Sequence, residues 1–188
     1  AVLDGDEGHH AATVRRTKVG EKLVLSDGRG EVADCVVTGV EHDRLELEVR
    51  ARETVAQAYP RVVLVQALPK SERSELAVEL ATEAGIDAIV PWQAGRCVAK
   101  WTGPKAEKGV LKWRSAARSA ARQSRRPYIP EVSELYDTAR LCKLIAERAS
   151  NGALVLVLHE SSFTPFASTL VGAAHEILLV VGPEGGIG

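Results

Sequence analysis

Two strand ends in this 188-residue chain carry the residue types best suited to chemistry. The apolar run 178–181 (LLVV) passes straight into Gly182-Pro183-Glu184-Gly185-Gly186, and the run 153–158 (ALVLVL) passes into His159-Glu160-Ser161. Glycines reach positive φ and let backbone N–H and C=O groups approach a ligand with no Cβ in the way. In open α/β sheets, ligands bind beyond the carboxyl ends of the strands. A loop built this way can grip an adenine or a sulfonium by main chain alone; as a purely structural element it is a tight turn into a following helix. It is not GxGxxG and has no Walker lysine, so neither nucleotide fingerprint applies.

A second chemistry is written in residues 112–126 (KWRSAARSAARQSRR), which hold Lys112, Arg114, Arg118, Arg122, Arg125 and Arg126 and no acid. Arg114, Arg118, Arg122 and Arg126 recur at i, i+4, which lines one helix face with like charges that repel. Such a face suits phosphates, which guanidinium groups grip bidentately; the bland reading is a solvated, Ala-rich surface. Just upstream, PWQAGRCVAKW sets Arg96 and Lys100 near Trp92 and Trp101, a mixture able to stack bases and hold backbone, although core packing explains the tryptophans equally well. Lys70, after Pro69, adds a cation at a third strand end.

The net charge of −1 hides an asymmetry. Residues 61–126 hold 13 Lys/Arg against 6 Asp/Glu, whereas the segments on either side are each net −4. A basic middle in an otherwise acidic chain points to a polyanionic partner addressed by one region. No apolar run approaches the roughly 20 residues that span a bilayer, and residues 1–20 lack the basic start and apolar core of a secretory signal. Three scattered cysteines form no CxxC, which argues against a disulfide framework or a metal site and for reduced core thiols in a cytoplasmic protein.

The elements that must position these groups fall into two regions. From Glu21 to Val49 the pattern is period-2, with Asp27-Gly28 as one hairpin turn and 39–43 as a second, so residues 1–55 read as a small β domain. Asp6 is a candidate cap for a short helix ahead of it, which carries His10, Arg15 and Arg16 and closes near Gly20. The segment 51–61 (ARETVAQAYPR) reads as the linker. Residues 61–188 alternate strands with helices, which implies a mostly parallel α/β sheet. Expected strands are 62–68, 86–92 (ended by Pro91), 153–158 and 176–181; expected helices follow Ser71 as cap, then span 105–124 and 137–149. Leu76, Leu80 and Ala84 form the expected apolar stripe of the first of these helices.

Taken in order, LVVGPEGGIG, LVLHE, QALPKSERSELAVELATEAGIDAIVPWQAGRCV and RQSRRPYIPEV resemble the RsmE-type 16S ribosomal RNA uracil-N3 methyltransferases of the SPOUT class, and DGDEGHHAATVRRTKVGEKLVLSDGRGE resembles their PUA-like N-terminal domain. The resemblance implies a PUA-like β-barrel, then an α/β domain tied in a trefoil knot that binds S-adenosyl-L-methionine, acting as a homodimer on 16S rRNA of the small ribosomal subunit, with neither membrane nor metal. It implies cofactor contacts at Leu158, His159, Glu160, Val181, Gly182, Pro183, Glu184, Gly185 and Gly186. Arg96, Gln123, Ser124 and Arg126 match polar positions near substrate, with Arg96 and Arg126 as the catalytic candidates. RNA contacts are expected at Arg15, Arg16, Lys100, Lys112, Arg114, Arg118, Arg122, Gln123, Ser124 and Arg125. His10 and Glu184 are candidate bases. Two departures stand out. Arg125 occupies the place of the family's usual glycine, and the helix and final segment with which the family completes the knot lie beyond Gly188, so the domain is expected to be incomplete at its C-terminus. The rival reading is a non-catalytic RNA-binding module.

Overall fold

Val63, Leu64 and Val65 are consecutive and all buried, which only a strand covered on both faces allows. They belong to β5 (Arg61–Ala67), the centre of a five-stranded sheet in the computed structural model, which describes residues 1–70, 73–159, 161–162 and 174–187. The chain divides into two units, Ala1–Ala56 and Gln57–Gly188.

The first unit contains β1 (Val2–Leu3), helix α1 (Gly5–His9) continued as a π turn over His10–Val14, β2 (Lys22–Ser26), β3 (Glu31–Val40) and β4 (Leu45–Thr54). The strands pair antiparallel in the order β1-β4-β3-β2. Among the described strands, β1 and β2 lie at the two edges of this sheet. The Asp27-Gly28 turn is where the pattern placed it: Asp27 Oδ1 accepts from the N–H groups of Arg29 (2.7 Å) and Glu31 (3.0 Å). The expected linker is shorter than 51–61, because Ala51–Thr54 pairs with 31–34 as the end of β4 and Arg61 opens β5. Cys35, Val37, Leu45 and Leu47 form the core, and burial pushes the Cys35 thiol up from its ordinary range.

The second unit continues with α2 (Ser74–Glu83), β6 (Ala88–Trp92), α3 (Pro104–Gln123), β7 (Glu131–Val132), α4 (Thr138–Ser150), β8 (Leu154–Leu158) and β9 (Glu176–Val181). All five strands run parallel in the order β7-β6-β5-β9-β8. The strand β6 does not end at Pro91 but runs through it, with Gln66 opposite Pro91 and Ala67 opposite Trp92. Asp137 caps α4 by accepting from Arg140 N–H at 2.7 Å. Ser71, the expected cap of α2, lies outside the described residues.

Helices α2 and α3 pack together through the face of Ser74, Val78, Ala81 and Thr82 on one and Trp113, Ala116, Ala117 and Ala120 on the other. The fully buried Trp113 donates its indole N–H to Ser74 Oγ at 2.8 Å. This corrects the apolar stripe expected for α2: Leu76 and Leu80 are 49% and 56% exposed. Helical spacing finds a stripe but not its cover, and here the smaller face is the one that meets α3. The tryptophans are core residues and not a stacking platform. Trp92 and Trp113 are buried, and Trp101 packs edge-on against Trp113 (centroids 5.4 Å apart) and flat over Gly109. Of the cysteines, Cys35 and Cys97 are buried as expected, but Cys142 is exposed on α4.

A glycine loop braced at the carboxyl ends of the sheet

Parallel strands deliver their carboxyl ends to one edge, so the loops after β5, β6, β8 and β9 gather there. Leu158 and Val181, the last residues of β8 and β9, stand in register as neighbours. The two loops that looked loaded in the sequence therefore leave the sheet side by side.

The loop after β9 is a tight turn closed by Gly186 N–H to Pro183 C=O at 2.9 Å, and Gly186 takes φ +77°. Two other loops brace it. From the end of β5, Lys70 N–H donates to Glu184 Oε1 at 3.3 Å. From the loop after β6, Arg96 Nη1 donates to Gly185 C=O at 3.3 Å, with the Arg96 stem lying along Gly185 and Gly186. The bonds that Glu184 accepts from its own N–H and from that of Lys70, together with the charges of Lys70 and Arg73, hold its carboxyl below the ordinary value of 4.5. Glu184 is thus ionised and a weak base at neutral pH, which counts against it as the general base. A cavity of about 310 Å³ opens beside the loop, lined by Gly182, Pro183 and Glu184 on one side and by Ala67, Arg73, Leu76 and Leu80 on the other. The exposed leucines of α2 line this cavity; sequence spacing had marked them as apolar but could not tell a core face from a pocket wall.

The glycines are not equivalent. A Cβ on Gly182 would stand 2.5 Å from Ile187 Cγ1, and one on Gly186 would need a left-handed backbone. Gly185 has neither constraint: a Cβ there meets Arg96 at an ordinary 3.6 Å.

Arg96 is held by a loop stitched to itself. Gln93 Oε1 accepts from Trp101 N–H at 2.7 Å, and Lys100 Nζ folds back to donate to Gly95 C=O at 3.3 Å. At the end of β8, His159 Nδ1 lies 2.7 Å from Ser161 Oγ, so the ring is turned onto its own loop. Glu160 lies outside the described residues.

The remaining expected residues are elsewhere. Arg126 donates to the carbonyls of Thr82 (2.8 Å), Ile86 (2.6 Å) and Gly85 (3.3 Å) and pairs with buried Asp87 at 3.6 Å. Asp87 precedes β6, so Arg126 sits at the amino ends of the strands, where it ties the ends of α2 and α3 together. Gln123, Ser124 and Arg125 lie at that same end, and Ser124 Oγ donates back to Ala120 C=O at 2.6 Å. The arginine row is also less uniform than the spacing implied. Arg114 donates to Val132 C=O (3.1 Å) and to Glu134 (2.8 Å), an acid supplied from the next segment. Arg118 and Lys112 are exposed, with no side-chain partner among the described residues. Arg15, Arg16 and His10 belong to the first unit, just past or within the π turn. Among the described residues no group of three or more His, Cys, Asp or Glu could hold a metal, and no helix is long and apolar enough to cross a membrane.

Comparison with known proteins meets this geometry. The sequence pattern of an RNA methyltransferase domain matches residues 57–188, and that of an RNA methyltransferase PUA domain matches residues 3–50. The chain is 54% identical over 187 residues to the ribosomal RNA small subunit methyltransferase E of Mycobacterium bovis, covering all of this chain and 71% of that protein. It is 29% identical to the protein of that name from Bacillus subtilis, covering 98% of this chain and 74% of that one. A Legionella pneumophila protein solved with bound SAM superposes with a TM-score of 0.84 at 26% identity, over all of this chain and 76% of that one. A family pattern matches the whole second unit and a relative shares over half of the residues, so the chain belongs to the ribosomal RNA small subunit methyltransferase E family of RNA methyltransferases.

Proposed function

We propose that this chain catalyses S-adenosyl-L-methionine-dependent N3-methylation of a specific uridine in the 16S rRNA of the small ribosomal subunit. The observation that carries the reading is the glycine loop after β9, which stands beside the β8 exit and is braced by Lys70 and Arg96. The residues fit the cofactor: Gly186 holds a left-handed backbone that leaves main-chain groups free of a Cβ, a cavity opens beside Gly182, Pro183 and Glu184, and Glu184 offers a fixed negative charge to a cation. Leu158, His159 and residues Val181–Gly186 would hold it, with Glu160 assigned by resemblance alone. When bound, it supplies an electrophilic methyl group.

The chain's own residues then have three tasks. The braced loop would hold the cofactor in one place, so that the attacking nitrogen meets a pre-positioned methyl donor when the substrate arrives. Uracil N3 would give up its proton to solvent as the N3–methyl bond forms and the methyl–sulfur bond breaks, leaving a neutral thioether, and donors at the site would favour this by stabilising charge on the uracil carbonyls. Arg96, whose guanidinium reaches the loop at Gly185, is the donor we assign to that edge of the site. RNA is held by Arg15 and Arg16 in the first unit (1–55) and by Lys100, Lys112, Arg118, Arg122 and Arg125 in the second (61–188).

We further propose that the second unit is of the SPOUT class with a trefoil knot, and that the protein works as a cytoplasmic homodimer. Val157, exposed on the edge strand β8, supplies apolar surface for such pairing. A non-catalytic RNA-binding role leaves the braced loop without a purpose. Calorimetry with S-adenosylmethionine separates the two readings, because a pure RNA binder gives no heat.

A further inference from the structure

Two residues other than glycine hold a positive φ among the described residues, and both are arginines: Arg16 at +54° and Arg125 at +56°. Each is the first residue beyond a helix end. Arg125 follows the cap Ser124 of α3, with its N–H bonded to Arg122 C=O (3.2 Å) and Arg126 N–H bonded to Ala121 C=O (2.8 Å), the paired bonds of a Schellman motif. Arg16 follows the cap Arg15 of the π turn, and the chain leaves through Thr17 N–H to Ala11 C=O at 3.1 Å.

The same chain shows what this geometry ordinarily selects. Helices α2 and α4 end through the same pair of bonds with Gly85 at φ +101° and Gly152 at φ +83° in the equivalent place. A Cβ in the left-handed region crowds the following carbonyl, and arginine has no short polar group to compensate locally. A cation does favour a helix C-terminus, but at an exposed site that effect is small and salt-screened. Both arginines are exposed, and neither side chain has a partner among the described residues. Both also stand among exposed cations, Arg15 and Lys18 in the first unit and Arg118 and Arg122 in the second.

We propose that Arg16 and Arg125 are phosphate anchors for RNA, one in each unit, retained in strained backbone positions because their guanidinium groups bind the substrate. This deepens the RNA-methylation reading and rests on it. The strain and the binding are then linked in a way that a merely solvated arginine would not show.

The test is Arg16→Gly and Arg125→Gly in the full chain, followed by thermal melting and by binding of deproteinised small-subunit rRNA between 50 and 200 mM KCl. Each glycine variant should melt about 2–4 °C higher, since the strain is relieved. Each should also bind RNA roughly threefold to tenfold more weakly, with the log–log salt slope reduced by about one. Arg125→Lys, which keeps both the charge and the β-carbon, should melt like the parent and recover most of the slope. Unchanged RNA affinity in the glycine variants, or a lower melting temperature, overturns the proposal while leaving the methyltransferase reading intact. If the parent protein itself binds no RNA, the broader reading fails and takes this inference with it.

Discussion

Arg96 Nη1 donates to the carbonyl oxygen of Gly185 at 3.3 Å, joining residues 89 positions apart in sequence. The bond carries the loop after β6 past the end of β5 to the loop after β9, so it ties three strand ends into one edge. A single exposed hydrogen bond contributes only about 0.5–1.5 kcal/mol, and its value here is in fixing a loop that must meet a ligand in one shape. Arg96→Ala should therefore weaken S-adenosylmethionine binding about threefold to tenfold by calorimetry while changing the melting temperature little. Arg96→Lys should restore part of that affinity, because an ammonium reaches the same carbonyl without the planar fork.

The glycines of the same loop should separate in a mutational series. Gly186→Ala puts a side chain at φ +77°, and Gly182→Ala drives a methyl into Ile187. Each should cost about 1.5–3 kcal/mol of loop geometry, read as a tenfold or greater loss of cofactor affinity. Gly185→Ala meets only ordinary contact with Arg96 and should bind nearly as well as the parent. Equal losses at all three positions would show that the loop has a different shape when occupied.

Glu184 gives a pH signature whose sign follows from its lowered pKa. A carboxylate with a folded pKa below its unfolded value contributes stability above the unfolded value and loses it as pH falls through the folded one. The Lys70–Glu184 brace should thus be intact from neutral pH down to about 5, with its contribution fading only below the ordinary carboxylate value near 4.5. Comparing melts of the parent and Glu184→Gln across pH 3–7 checks this: the small difference expected at pH 7 should shrink toward acid.

The two ends of the sheet should respond differently to the loss of an arginine. Arg126→Ala removes three carbonyl bonds and leaves Asp87 buried without its cation, which should cost about 3 kcal/mol of stability. Its effect on the salt dependence of RNA binding should be small. Arg118→Glu with Lys112→Glu should do the reverse, lowering RNA affinity and salt slope while the melting temperature barely moves.

Much of this was readable in the residues, and the misses share a cause. Strands such as 176–181 announced themselves by continuous apolar runs, and the loaded ends of β8 and β9 followed from glycines and a histidine placed after such runs. The sequence could not say what covers an apolar stripe. Leu76 and Leu80 repeat at helical spacing just as a core face does, yet they line the cavity, because packing against Trp113 selected the smaller Val78 and Ala81 face instead. The arginine row is less uniform for a related reason: spacing places Arg114 and Arg126 on one face, while their partners, Glu134 and Asp87, come from other segments. Arg125 was legible as an oddity, and its φ of +56° shows that the turn keeps a glycine's geometry without the glycine.

The most direct test of the central claim is tritium transfer from labelled S-adenosylmethionine to small subunits whose 16S rRNA lacks the modification, using the full-length protein and its Gly186→Ala variant, with the product nucleoside identified after digestion. The account predicts label in N3-methyluridine at a single site with the parent protein, and at least a tenfold lower rate with the variant. Label on another atom or another base would contradict the proposed reaction, and undiminished transfer by Gly186→Ala would contradict the role given to the glycine loop.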